Sequence, residues 1–172
     1  MLTRNEEPAV IVRPATRADI ETLGGFGTLL MALHHQLDGK RFIHATADTP
    51  AKYAHFLESE LARPDAILLV AEESGLLSGY VYAAREGFDY MALRGPAGVI
   101  YDLFVASERR RQGLGRLLLN AAMEKLQALG CERFVLSTAF QNEAARALFT
   151  SMGFRPTMVE MTREADAPVA TP

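Results

Sequence analysis

The sequence predicts an α/β domain built on one mixed sheet, with elements in the order β-α-α-β-β-β-α-β-α-β. Three observations carry this. Val99-Ile100-Tyr101-Asp102-Leu103-Phe104-Val105 is a run of β-branched and aromatic residues that reads as a strand. The turn Arg110-Arg111-Gln112-Gly113-Leu114-Gly115-Arg116 follows. After it, Leu117, Leu118, Leu119, Ala121, Ala122, Leu126 and Leu129 recur near helical spacing, with Gly130 as a stop. Further on, Asn142 opens a second helix as a capping residue, and Gly153 closes it before another apolar run.

Taken from the N-terminus, Ala9–Arg13 reads as the first strand. Thr16 and Asp19 make a capping-box-like start for a helix, with Asp in place of the usual Glu. Leu23, Leu29, Leu30, Met31 and Leu33 fall on its apolar positions, while Gly24, Gly25 and Gly27 weaken its first half. A loop through Asp38–Asp48 leads to Thr49-Pro50, a cap and first-turn signal for a second helix ending near Ala62. Ala66–Glu72 and Leu77–Arg85 flank Glu73-Ser74-Gly75 and predict a hairpin. A loop from Glu86 to Pro96 reaches the strand already described. Arg133–Thr138 and Phe154–Thr162 are the remaining strands.

Composition bounds the function. A chain of 172 residues is long enough to bury a substantial core, and one domain over residues 1–164 is expected. The Ala165–Pro172 tail is expected to be disordered. A net charge of −3 gives no whole-protein reason for nucleic-acid binding. The one patch that suggests it, Glu108-Arg109-Arg110-Arg111, is short and has no interleaved aromatics. The N-terminus holds acidic residues and no signal-length apolar core, and no stretch approaches a membrane span. A single cysteine cannot form an internal disulfide, so the cytoplasm is the expected compartment. Cys131, directly after Gly130, reads as a small buried residue entering a strand.

The turn between strand and helix carries the chemistry. The first turn of a helix has backbone N–H groups without partners, and the helix dipole adds positive potential there. Gly113 and Gly115 lack a Cβ, so an anionic group can approach the backbone closely. An ordinary connection whose glycines serve only the turn is the other reading of this stretch alone.

The two motifs together resemble the acyl-CoA site of the GNAT N-acetyltransferases. There an R/Q-x-x-G-x-G/A turn binds pyrophosphate, and an N-x-x-A-x-x-L-Y-x-x-x-G-F helix about thirty residues later lies along the pantetheine. Here the first motif is complete, and the second matches at Asn142, Ala145, Leu148, Gly153 and Phe154. The likeness is detailed over Val99–Glu160 and looser over Val10–Arg85. It implies a mostly antiparallel sheet of about six to seven strands flanked by four helices. It also implies acetyl-CoA as cosubstrate, with no metal. Backbone N–H groups of Arg111, Gln112, Gly113, Leu114, Gly115 and Arg116 would hold the pyrophosphate. Side chains of Arg110, Arg111 and Arg116 could neutralise its charge. Backbone groups of Leu103, Phe104 and Val105 would meet the pantetheine and the thioester carbonyl, stabilising the oxyanion. Asn142 would bond to the cofactor amides, cap its helix, or both.

Two departures from the family pattern stand out. Many relatives carry Glu-Asp where this chain has Tyr101-Asp102, so the position often treated as the base is Tyr101. Asp102 is the candidate proton acceptor. Regular strand alternation allows only one of the two to face the acceptor. Where the family has a tyrosine that protonates the departing thiolate, this chain has Phe149. Ser151, water or another tyrosine are the candidate substitutes, and Phe149 itself is expected against the thioester.

The acceptor is expected near the first two helices and the hairpin. His34, His35, Asp38, Arg41 and His44 cluster there without a ligand set suited to a metal. Tyr80 and Tyr82 share one strand face and read as core or as groove lining. The expected activity is acetyl transfer from acetyl-CoA to a primary amine, by direct attack in a ternary complex. A small molecule is the expected acceptor. The alternatives are a GNAT-like module that binds acyl-CoA without turnover and, more distantly, a nucleotide-phosphate binder. A homodimer through the Phe154–Thr162 strand is expected by analogy with the superfamily.

Overall fold

A computed structural model describes residues 9–167. Five strands form one sheet in the order β1-β2-β3-β4-β5: β1 (Ile11–Pro14), β2 (Ala66–Glu73), β3 (Leu76–Glu86), β4 (Ala97–Val105) and β5 (Phe134–Leu136). All neighbours are antiparallel except β4 and β5, which are parallel. Helices α1 (Ile20–Leu37) and α2 (Thr49–Glu60) separate β1 from β2, α3 (Leu114–Ala128) separates β4 from β5, and α4 (Glu143–Ser151) follows.

Local chemistry explains the joints. The backbone N–H and hydroxyl of Thr16 both donate to Asp19, at 2.7 and 2.9 Å, so Asp serves where a capping box usually has Glu. Ser74 and Gly75 both have positive φ, as a two-residue hairpin turn between twisted strands requires.

The alternating strands build two cores. One face of the sheet packs Ile67, Leu69, Val81 and Ile100 against Leu118 and Leu126 of α3. The other packs Leu68, Val70, Tyr80, Tyr82 and Phe104 against Leu23 and Leu57 of α1 and α2. Each such aliphatic side chain taken out of water contributes roughly 1.5–3 kcal/mol. Cys131 lies in the α3-side core, as expected of a small buried residue.

Gly24 and Gly27 have a purpose that helix propensity obscures. A Cβ on Gly24 would lie 2.4 Å from the Pro50 carbonyl oxygen, and one on Gly27 would lie 2.1 Å from the Tyr53 ring. The glycines cost α1 some intrinsic stability and let α2 come into contact along its length.

Two expectations are corrected. The described residues hold five strands, and Phe154–Thr162 forms none. Pro156 removes a backbone donor from that run, and the β5 edge beside which it would add is three residues long. Instead Phe154 packs on Phe149 with centroids 6.0 Å apart, and Glu160 pairs with Arg41. Most of the Ala165–Pro172 tail, from residue 168 onward, lies outside the described residues.

Candidate active site

The connection after β4 carries two left-handed residues directly ahead of the α3 N-terminus. Arg111 (φ +63°) and Gly113 (φ +85°) both lie in the left-handed region, two residues apart, and Gly113 is the N-cap of α3. A non-glycine residue held there costs of order 1–3 kcal/mol, strain that concentrates at binding sites. Such alternation turns successive N–H groups toward one concavity. Nothing lies within 4 Å of the place a Gly113 Cβ would take, so the cradle is open at that point. Gly115 is different. A Cβ there would meet Leu148 at 3.1 Å, so this glycine lets α3 pack against α4.

The arginines divide their work. Arg109 pairs with Glu73 of the hairpin. Arg110 donates to the Val105 carbonyl at 3.1 Å, and Arg116 donates to the Ser151 hydroxyl at 2.7 Å. Ser151 in turn donates to the Leu148 carbonyl at 2.7 Å. It is not among the residues that line the cavity between β4 and β5.

Below the cradle, the sheet opens. β5 pairs with β4 only over Gly98–Ile100, while β4 runs on to Val105. A cavity of about 260 Å³ occupies the gap and reaches α1, α2 and α4; Leu103, Leu136, Asn142 and Phe149 are among its walls. Asn142 caps α4 by accepting from the Ala145 N–H at 3.1 Å, so the capping role holds while the side chain borders the cavity. Leu114 and Phe104 turn their side chains into the core and present only backbone to the cradle and the gap.

The strand carrying Tyr101 and Asp102 is irregular. Tyr82 pairs with Asp102 and Ala83 with Ile100, so Tyr101 is the extra residue of a β-bulge. The bulge shifts the alternation by one. Ile100 joins the α3-side core, and both Tyr101 and Asp102 meet residues of the opposite face. The expectation that only one of them could face the acceptor side is therefore corrected.

Their surroundings differ. Tyr101 is 47% exposed at the rim, stacked on Tyr82 with centroids 5.2 Å apart, and its hydroxyl donates to Glu86 at 2.9 Å. Burial and Glu86 push its pKa up to about 12, so it stays neutral. Asp102 is half-buried on the cavity floor and accepts hydrogen bonds from the hydroxyls of Tyr53 and, at 3.1 Å, Tyr80. Burial raises its carboxyl above the ordinary 3.8, although both hydroxyls pull the other way. It forms no ion pair among the described residues.

His34 of α1 also lines the cavity, with Nδ1 at 2.8 Å from the Leu30 carbonyl. A carbonyl only accepts, so Nδ1 carries the proton, and in the neutral ring Nε2 is the bare nitrogen. His35 instead bonds to the Phe42 carbonyl and packs on His44. Among the described residues no group of three or more His, Cys, Asp or Glu is gathered as for a metal. Tyr53 is the site residue that sequence reasoning missed. The spacing of Gly24 and Gly27, one helical turn apart opposite an aromatic-bearing helix, was the available signal.

A parted pair of parallel strands and an acidic floor thus share one cavity, and the glycine turn follows β4 directly. The model of the Acetyltransferase (GNAT) family matches residues 28–154. The chain belongs to that family. As such it is an acetyl-CoA-dependent N-acetyltransferase. This GNAT chain is 27% identical over 104 residues to the aminoglycoside N(6')-acetyltransferase type 1 of Klebsiella aerogenes, covering 60% of this chain and 68% of that protein. It is 37% identical over 89 residues to the mycothiol acetyltransferase of Thermobispora bispora, covering 49% and 28%. It thus spans about two thirds of the first relative and under a third of the second. Among solved structures, the aminoglycoside N-acetyltransferase AAC(6')-Iy in complex with CoA matches with a TM-score of 0.72 at 16% identity, covering 97% of this chain and all of that one. A transcriptional regulator from Bacillus halodurans matches with a TM-score of 0.70 at 22% identity, covering 91% and 99%. Identities this low speak to fold alone.

Proposed function

We propose that this GNAT protein acetylates the primary amine of a small molecule by direct attack in a ternary complex, with Asp102 as the carboxylate that meets the amine. The observation that carries the reading is an unpaired, half-buried carboxylate on the floor of the cavity between the opened strands and the α1–α2 wall. Acetyl-CoA, when bound, supplies the activated thioester.

Gly113 and the backbone from Arg111 to Arg116 suit the pyrophosphate, and Asn142 with the free β4 edge at Leu103–Val105 suits the pantetheine. A lysine-like amine, pKa ~10.4, lies 3.4 units from its reactive form at pH 7, or roughly 4.6 kcal/mol. Asp102 attracts the ammonium, and its raised pKa makes it a better proton acceptor than an exposed carboxylate. Tyr53 and Tyr80 hold that carboxylate in place. Phe149 puts no proton donor on the opposite wall, but a thiol of pKa ~8.5 needs little help near neutrality. Small-molecule acceptors accord with the aminoglycoside and mycothiol acetyltransferases among the relatives. The reading extends to a cytoplasmic enzyme, on its single cysteine, and to a homodimer by analogy with the superfamily.

A non-catalytic acyl-CoA-binding module is the second reading, favoured by Phe149 and by Tyr101 sitting at the rim. Calorimetric titration with acetyl-CoA, followed by CoA release against a panel of amines, separates the two. Binding with turnover is expected. Tight binding with no turnover on any amine selects the module.

A further inference from the structure

Asp102 is the one acidic residue among the described residues that line the cavity, and the nearby acids Glu60 and Glu86 are held by Arg63. Glu60 is buried and accepts from Arg63 at 2.6 Å and from the Tyr82 hydroxyl. Glu86 accepts from the same Arg63 at 3.3 Å and from Tyr101. Asp48 pairs with Lys52 at 2.5 Å, and Glu160 pairs with Arg41. Asp102 meets the hydroxyls of Tyr53 and Tyr80 instead of a cation.

On α1 the acceptor wall offers Leu30 and Met31 beside one polar side chain, His34. Leu30 and Met31 of α1 face the cavity beside the Tyr53 ring, and Tyr101 closes the rim. The polar side chains Ser137, Thr138 and Asn142 come from the segment between β5 and α4, the side suited to the pantetheine amides. The cavity of about 260 Å³ would also take the pantetheine end, which leaves room for a small acceptor.

We infer that the acceptor is a small monoamine with an apolar body, an alkyl or arylalkyl primary amine, and not a polycationic amino sugar. This rests on the acetyl-transfer reading above. One unpaired carboxylate matches one ammonium, and a second cation would be desolvated with no partner. Most hydroxyls of an amino sugar would face Leu30 and Met31 without hydrogen-bond partners, His34 Nε2 being placed to accept one. An apolar body gains at the same contacts, by roughly fourfold in kcat/KM for each methylene that it buries.

The test measures CoA release with acetyl-CoA and three sets of acceptors: n-alkylamines from propyl to hexyl, 2-phenylethylamine, and the tetracationic amino sugar neamine. The expected result is kcat/KM rising along the alkyl series, with phenylethylamine at least tenfold above neamine. Neamine at or above phenylethylamine overturns the inference and leaves the acetyl-transfer reading standing. No release with any amine, while acetyl-CoA still binds, overturns both. A second variant sharpens the test. Met31→Glu adds a carboxylate to the wall and is expected to raise the neamine-to-phenylethylamine ratio at least fivefold; an unchanged ratio would show that this wall does not touch the acceptor.

Discussion

The Tyr53 ring occupies the space that a Cβ on Gly27 would fill, and its hydroxyl reaches from there to Asp102. Helix packing and active-site polarity meet in that contact. Gly27→Ala is expected to lower stability by roughly 1–3 kcal/mol through overpacking, despite the better helix propensity of alanine. It should also lower kcat, because Tyr53 must move away from Asp102. Urea midpoints together with kcat check this; an alanine variant as stable and active as the parent would refute the packing.

Asp102→Asn removes the charge and keeps an oxygen that accepts from both tyrosines. Loss of kcat/KM by about 10²–10⁴ is expected, with acetyl-CoA affinity unchanged. The pH dependence has a definite sign. The folded carboxyl titrates above its ordinary value, so its charged form costs stability at neutral pH; the cost shrinks as pH falls below the folded pKa and is gone below the unfolded one. The asparagine variant should therefore unfold at an equal or higher urea concentration at pH 7. A lower midpoint would mean that the charge stabilises the fold.

Gly113 is the cradle residue with both a left-handed backbone and open space beside it. Gly113→Asp strains the turn and brings a negative charge to the anion site. An increase of at least tenfold in the acetyl-CoA dissociation constant is expected by calorimetry. Unchanged affinity would discredit the cradle.

Phe149→Tyr restores a hydroxyl where the family has one. The half-buried ring already borders the cavity, so tolerance and an equal or higher kcat are expected in steady-state assays, with acetyl-CoA affinity within about twofold. A loss of affinity instead would assign Phe149 to packing against Phe154 alone.

Asp19 governs acid stability. Hydrogen bonds from Arg13, at 2.8 and 2.9 Å, hold its carboxyl down to about 2 from an ordinary 3.8. A lowered folded pKa stabilises the fold above the unfolded value, and that contribution is lost as pH falls from about 4 through about 2. Asp19→Asn should cost about 2 kcal/mol at pH 7 and flatten the acid arm of urea midpoint against pH. An unaltered acid arm would show that the pair contributes little.

Much of this was legible in the chain itself. The hairpin, the cradle and the capped α4 follow from local signals, because turn chemistry and periodicity act over a few residues. Phe154–Thr162 reads as a strand on composition, but a strand needs a neighbour, and the three-residue β5 is a remote fact that local sequence does not carry. The same holds at the site. Asp102 is conspicuous as an acid in an apolar run, whereas Tyr53 becomes visible only when two glycines on another helix are seen to admit it. Regular alternation sends Tyr101 and Asp102 to opposite faces, and the bulge that breaks it is set by pairing with β3, a remote partner.

That break in alternation gives β4 a parity. Upstream of Tyr101 the strand keeps step with the α3-side core, and downstream it keeps the opposite step. Removing Tyr101 would bring the two halves into phase and leave both aims intact, because Ile100 lies opposite Ala83 and Asp102 opposite the adjacent Tyr82. Tyr101 is thus a residue that the ladder itself does not need; what it adds is a ring at the rim of the acceptor side.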